Sequence, residues 1–158
     1  MDELPVEMFL DAYPAGIRRA AYALRDIVRE IVPDAIEGIR VGWRVVGYAV
    51  PVERRKPKLF ALIGPEPKHV HLFFQYGIFL DDPDRVLRGA HLKLRQVRYL
   101  TFTSIAGVEA FPRDEMERFI LDAARLAPMS REQRSAIALG NDTDPNRHAG
   151  SASSSFER

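Results

Sequence analysis

Between residues 36 and 103 the chain carries five short β-rich runs, and the connections among the first four are too brief for a helix to cross back over them. The runs are residues 36–41, 44–50, 58–63, 69–76 and 96–103. Most are rich in β-branched or aromatic residues and end at Gly, Pro or a charged cluster. Arg54-Arg55-Lys56-Pro57 reads as a basic turn between the second and third runs. Gly64-Pro65-Glu66-Pro67-Lys68 is the strongest turn signal and should join the third and fourth into a hairpin with a loop longer than two residues. Parallel neighbours need a crossover of about a dozen residues or more. The middle of the chain is therefore expected to be antiparallel.

Helical patterns flank this block. Val6, Phe9, Leu10 and Tyr13 recur at helical spacing after Pro5, and Pro14 interrupts them. Residues 15–31 should form a long amphipathic helix with Ile17, Ala20, Ala21, Leu24, Ile27, Val28 and Ile31 on one face, stopped by Pro33. Asp82-Pro83 should open a short helix that Gly89 ends. Residues 113–126 carry the stripe Met116, Phe119, Ile120, Ala123 and Ala124. Ser130-Arg131-Glu132-Gln133 is a capping-box pattern for a short helix through residue 139. Residues 140–158 are polar and Ser-rich and should form a flexible tail. The expectation is an α+β domain over residues 1–126, with a two-layer, mostly antiparallel sheet of about five strands and helices mainly on one face.

Composition narrows the function classes. There is no cysteine, so disulfides, thiolate metal sites and a Cys nucleophile are excluded. The 23 Lys+Arg nearly balance the 22 Asp+Glu, which gives no global attraction to nucleic acid or an anionic membrane. No apolar run approaches the ~18–20 residues that span a bilayer. Met1-Asp2-Glu3-Leu4-Pro5 lacks the basic start and apolar stretch of a secretion signal, which favours the cytoplasm. Nucleotide-binding glycine motifs, zinc-protease and EF-hand motifs are absent, and no nucleophile–base pair is visible.

The chemical candidates lie in the strands. On a strand, His69, His71, Phe73 and Gln75 share one face, and Val70, Leu72 and Phe74 the other. The second set looks like core. The first is either a groove or a half-exposed surface, and two imidazoles alone fall short of the three or four ligands a stable metal site needs. Trp43 is the only tryptophan. With Phe73, Phe74, Tyr76 and Tyr99 it could line an aromatic pocket rimmed by Arg44, Lys93, Arg95 and Arg98. Guanidinium groups there would suit an anionic or planar ligand. Alternatively Trp43 is a core anchor and the arginines are solvated on strand edges.

The order Val32-Pro33-Asp34-Ala35-Ile36-Glu37-Gly38-Ile39-Arg40, Gly42-Trp43-Arg44 and Gly47-Tyr48 resembles the YdhG-like family, domain of unknown function 1801. So do His69-Val70-His71-Leu72-Phe73-Phe74, Gly77, Leu80, Asp82-Pro83, Leu87-Arg88-Gly89 and Gln96-Val97-Arg98-Tyr99, over about residues 5–126 in all. The family commonly has Trp-Gly-Met-Pro where this chain reads Val41-Gly42-Trp43-Arg44, so the likeness is to a variant branch. The Gly-Lys that often follows the glycine matched by Gly89 is replaced here by His91-Leu92. The resemblance implies an antiparallel sheet with flanking helices, distantly like frataxin, and some members are described as frataxin-like iron chaperones. An iron-delivering surface would need clustered carboxylates. This chain has few, and its long helix carries Arg18, Arg19 and Arg25. The resemblance implies no catalytic residues.

The reading that results is a non-enzymatic cytoplasmic domain, monomer or homodimer, that binds a small anionic or planar ligand or a protein partner. Its groove would be formed by Trp43, Arg44, Tyr48, His69, His71, Phe73 and Arg98. Trp43 and Tyr48 would offer stacking area, Arg44 and Arg98 would hold an anion, and the histidines would exchange protons. No cofactor, resident metal, nucleic acid or membrane is expected. The alternative is an iron-handling chaperone using His69, His71 and acidic helix residues.

Overall fold

The computed structural model describes residues 4–90 and 95–143. Five strands form one antiparallel meander in the order β1-β2-β3-β4-β5. They are β1 (Ile36–Arg40), β2 (Val45–Val52), β3 (Arg55–Pro65), β4 (Val70–Phe74) and β5 (Arg98–Phe102). The helices are α1 (Val6–Asp11), α2 (Ala15–Ile31), α3 (Ile105–Ala110), α4 (Arg113–Leu126) and α5 (Arg131–Thr143). The expected α+β class and sheet are what the chain adopts. No helix among the described residues is long and apolar enough to cross a membrane.

Strand register assigns each residue to a face, because antiparallel partners project to the same side. Val46 opposes Ile63, Ile63 opposes Leu72, and Leu72 opposes Leu100. These residues, with Tyr48, Val70 and Phe74, form one core with Leu10, Leu24 and Val28 of α1 and α2 and Phe119 and Ile120 of α4. Each large side chain fully buried there contributes about 1.5–3 kcal/mol. Helix α2 has the predicted bounds. Pro14 precedes it, its carbonyl accepting from the Arg18 N–H, and Ala20 and Ala21 are fully buried on the face toward the sheet.

The opposite face carries His71, Phe73, Tyr99 and Thr101, and further along Gly47, Leu62 and Gly64. The glycines matter here. A Cβ on Gly64 would lie 2.7 Å from the Phe73 ring, so the missing side chain is what lets that ring lie down on β3.

The structure differs from the sequence expectations at five places. The turn between β2 and β3 is at Glu53 and Arg54, and Arg55-Lys56-Pro57 already belongs to β3, since Arg55 pairs with Val52. Pro51 and Pro57 fall where the register shifts between the Val50 and Val52 pairs, which is where a ladder can accept a residue without N–H. The β3–β4 connection is tighter than expected, because the Glu66 N–H donates to the His69 carbonyl and leaves only Pro67 and Lys68 at the tip. Residues 82–89 are not helical. Asp82 does accept from the Val86 and Leu87 amides, but Arg85 has φ 55° and turns the chain out of a helix. Helix α3 was not foreseen, although Ser104 caps it by accepting from the Gly107 N–H. The capping box of α5 is formed reciprocally between Ser130 and Gln133, and the helix runs to Thr143, four residues beyond the expected end and into the expected tail.

Candidate functional site

β4 sets the site. His71 and Phe73 leave its open face beside Tyr99 and Thr101 of β5. The His71 ring centroid is 4.8 Å from Tyr99, 5.2 Å from Phe73 and 4.4 Å from His69, so four rings form one continuous patch. His71 Nδ1 lies 3.0 Å from Thr101 Oγ1. Burial, helped by the neighbouring His69, lowers the His71 pKa from its ordinary value and favours the neutral ring.

The tight hairpin brings Glu66 onto these rings. Glu66 is the backbone partner of His69, and its Oε2 sits 2.6 Å from His69 Nε2 and 3.1 Å from His71 Nε2. Among the described residues these three form a group of metal-capable side chains, with ligand atoms all within 4.8 Å of one another. The leading sequence reading expects no resident metal and its alternative puts iron on His69 and His71, but neither includes Glu66, which lies in the predicted β3–β4 turn. The signal was available: a carboxylate three residues before the first of two alternating histidines. Of the acidic helix residues of the alternative reading, Asp2 and Glu3 lie outside the described residues, and Glu7 and Asp11 are engaged elsewhere. Glu7 pairs with Arg25, and Asp11 accepts from the Tyr22 hydroxyl.

The second wall comes from the β1–β2 corner. Val41–Trp43 make a single 3-10 turn, and Arg44 follows in the left-handed region at φ 56°, ψ 49°. A side chain other than glycine pays roughly 1–2 kcal/mol for that conformation. Trp43 is 66% exposed, which rules out the core-anchor reading, and the Arg40 guanidinium lies 5.7 Å from its ring centroid. Trp43 and Arg44 line a cavity of about 330 Å³ together with Tyr13, Gly64, Glu66, His71 and Phe73. That volume falls within the range of small-molecule pockets.

Two predicted site residues are not there. Tyr48 opposes Glu37 and Ala61, projects into the core and is fully buried, its hydroxyl donating to Glu37 Oε2 at 2.8 Å. Arg98 opposes Phe74 on the core side of the sheet, is 8% exposed, packs against Gly77 and Gly89, and donates to the Val97 carbonyl. The wider aromatic set also divides. Tyr99 joins the patch, Phe74 is core, and Tyr76 lies 4.0 Å beneath the Arg134 guanidinium. Lys93 lies outside the described residues. Arg95 lines a different cavity of about 780 Å³ with Arg131 and Arg134. Of the seven predicted residues, Trp43, Arg44, His71 and Phe73 share one cavity, and His69 stands at its edge on His71.

The sequence showed no nucleophile–base pair, yet Thr101, His71 and Glu66 lie in the order hydroxyl, imidazole, carboxylate. Chemically the Thr101 contact can fix the ring. With Nε2–H directed at Glu66 Oε2, Nδ1 accepts from the Thr101 hydroxyl; moving the proton to Nδ1 would turn that contact around and free the Nε2 lone pair for the space shared with Glu66 and His69. No protein family, curated protein or solved structure matches the chain.

Proposed function

We propose that this chain is a binding domain of the cytoplasm, YdhG-like in kind, that takes a small planar anion in the cavity between the β1–β2 corner and β4. The observation that supports this is the meeting of an exposed indole, a guanidinium on a left-handed backbone and the His71–Phe73 ring pair around one small-molecule-sized space. Non-glycine residues in that backbone region persist where surrounding structure holds them, and they gather at ligand clamps. Trp43 and Phe73 supply stacking surface, and Arg44 supplies the fork for a carboxylate or phosphate. The domain acts as a non-enzymatic monomer or homodimer.

Trp43 is the only tryptophan, so its fluorescence reports this cavity directly. Titration with aromatic carboxylates and nucleoside monophosphates should give saturable quenching by at least one of them, with Kd below about 1 mM, some 4 kcal/mol of binding. The quenching should vanish in Phe73→Ala. Absence of saturation across both sets, or saturation that Phe73→Ala leaves intact, would remove the proposal.

A further inference from the structure

We infer that Glu66, His69 and His71 form a binding site for a late first-row divalent transition ion, of which Zn²⁺ is the representative. The inference goes beyond the anion-binding reading and does not need it.

Three observations carry it. First, the donors converge. His69 Nε2 and His71 Nε2 both approach the same carboxylate oxygen, at 2.6 and 3.1 Å. Ligand atoms about 2.0–2.2 Å from a tetrahedral ion lie roughly 3.3 Å from one another, and here all three lie within 4.8 Å. Side-chain rotation alone can therefore close the site. Second, the backbone beneath is fixed. His69 and His71 alternate along one strand face, and Glu66 is held across from His69 by the 2.8 Å bond from its N–H. Pro65 and Pro67 restrict the chain on both sides of Glu66. Third, His71 has the outer support that metal-bound histidines have, with its remaining nitrogen 3.0 Å from Thr101 Oγ1.

The donor set selects the ion. Two imidazoles and one carboxylate are poor for Mg²⁺ or Ca²⁺, which prefer oxygen, and good for Zn²⁺, Co²⁺ or Ni²⁺. Three protein donors leave at least one coordination position for water or an added ligand. Glu66 and His71 also line the 330 Å³ cavity, so that position is within reach of its occupant.

The test uses the full chain, Zn²⁺ alone in isothermal titration, and Co²⁺ as a spectroscopic reporter. The chain should bind one Zn²⁺ with micromolar Kd or tighter, and Co²⁺ should develop visible absorption of low coordination number. Glu66→Gln and His69→Ala should each weaken Zn²⁺ at least tenfold. Thr101→Val should weaken it 10–100-fold with an unchanged melting temperature, as expected of a residue that positions a ligand. His91→Ala and His148→Ala should change nothing. No binding below millimolar Zn²⁺ would overturn the inference. So would undiminished binding in Glu66→Gln, or loss in the His91 or His148 variant. Anion quenching of Trp43 in metal-free buffer separates this outcome from the fate of the anion proposal.

Discussion

The Tyr48 hydroxyl donates a 2.8 Å hydrogen bond to Glu37 Oε2 on the helix-covered side of the sheet. Arg25 grips the same carboxylate with two nitrogens at 2.8 and 2.9 Å, so α2 is tied to β1 and β2 by a buried polar knot rather than by apolar packing alone. Burial pushes the Tyr48 pKa up. For Glu37, burial works to raise the pKa, but hydrogen bonds from Arg25 and Tyr48 and the Arg25 charge outweigh it and leave the pKa lowered. Tyr48→Phe should cost about 1–3 kcal/mol, because a hydrogen bond to a charged, part-buried carboxylate is lost although Arg25 Nε still donates to the same oxygen. Anion quenching of Trp43 should be unchanged. Chemical denaturation paired with the fluorescence titration measures both.

The same knot fixes a pH dependence. A carboxyl whose folded pKa is lowered contributes stability that is fully present above its unfolded value, about 4.3. That contribution is lost as pH falls through the folded value. Melting temperature should therefore decline with acidification below about pH 4.3, and Glu37→Gln should flatten the decline while lowering stability at neutral pH. A steeper acid limb in Glu37→Gln would contradict this assignment.

Arg44 separates strain from function. Glycine accepts φ 56° without steric cost but frees the unfolded chain. These effects oppose each other, so Arg44→Gly should stay within about 1 kcal/mol of the parent in stability. It should lose anion quenching of Trp43 nonetheless. Arg54→Gly, at φ 60° in the β2–β3 turn, should match it in stability and keep the quenching.

Two glycines should respond differently to one methyl group. On Gly77 a Cβ would meet Arg98 Cβ at 2.5 Å and the Arg98 backbone nitrogen at 2.7 Å, and backbone cannot step aside. Gly77→Ala should cost about 1–3 kcal/mol. On Gly64 the obstacle is the edge of the Phe73 ring, which can tilt. Gly64→Ala should unfold at nearly the parent temperature but push Phe73 into the cavity and weaken anion binding.

Much of this was written in the residues. The alternation His69-Val70-His71-Leu72-Phe73-Phe74 assigned both faces of β4 correctly, with Val70, Leu72 and Phe74 fully buried. Pro14 and Pro33 bracketed α2. Tyr48 could not be placed that way. β2 is buried on both sides from Val45 to Ala49, so its sequence shows no alternation. The 3-10 turn and left-handed Arg44 also break any face count carried over from Trp43. Arg98 misled for a related reason: it projects to the core side where the sheet ends and glycines 77 and 89 leave room for a long side chain. Glu66 is marked in the sequence only by its spacing to the two histidines, and its role depends on a hairpin one step tighter than its two prolines suggest.

The account rests on the free face of β4 as the recognition surface, and amide chemical-shift mapping tests that most directly. With the aromatic carboxylate or nucleotide that quenches Trp43, shifts should concentrate at Trp43, Arg44, Val45, Glu66, His71 and Phe73. Shifts concentrated instead at Gln75, Arg95, Arg131 and Arg134, around the larger cavity beside α5, would contradict it.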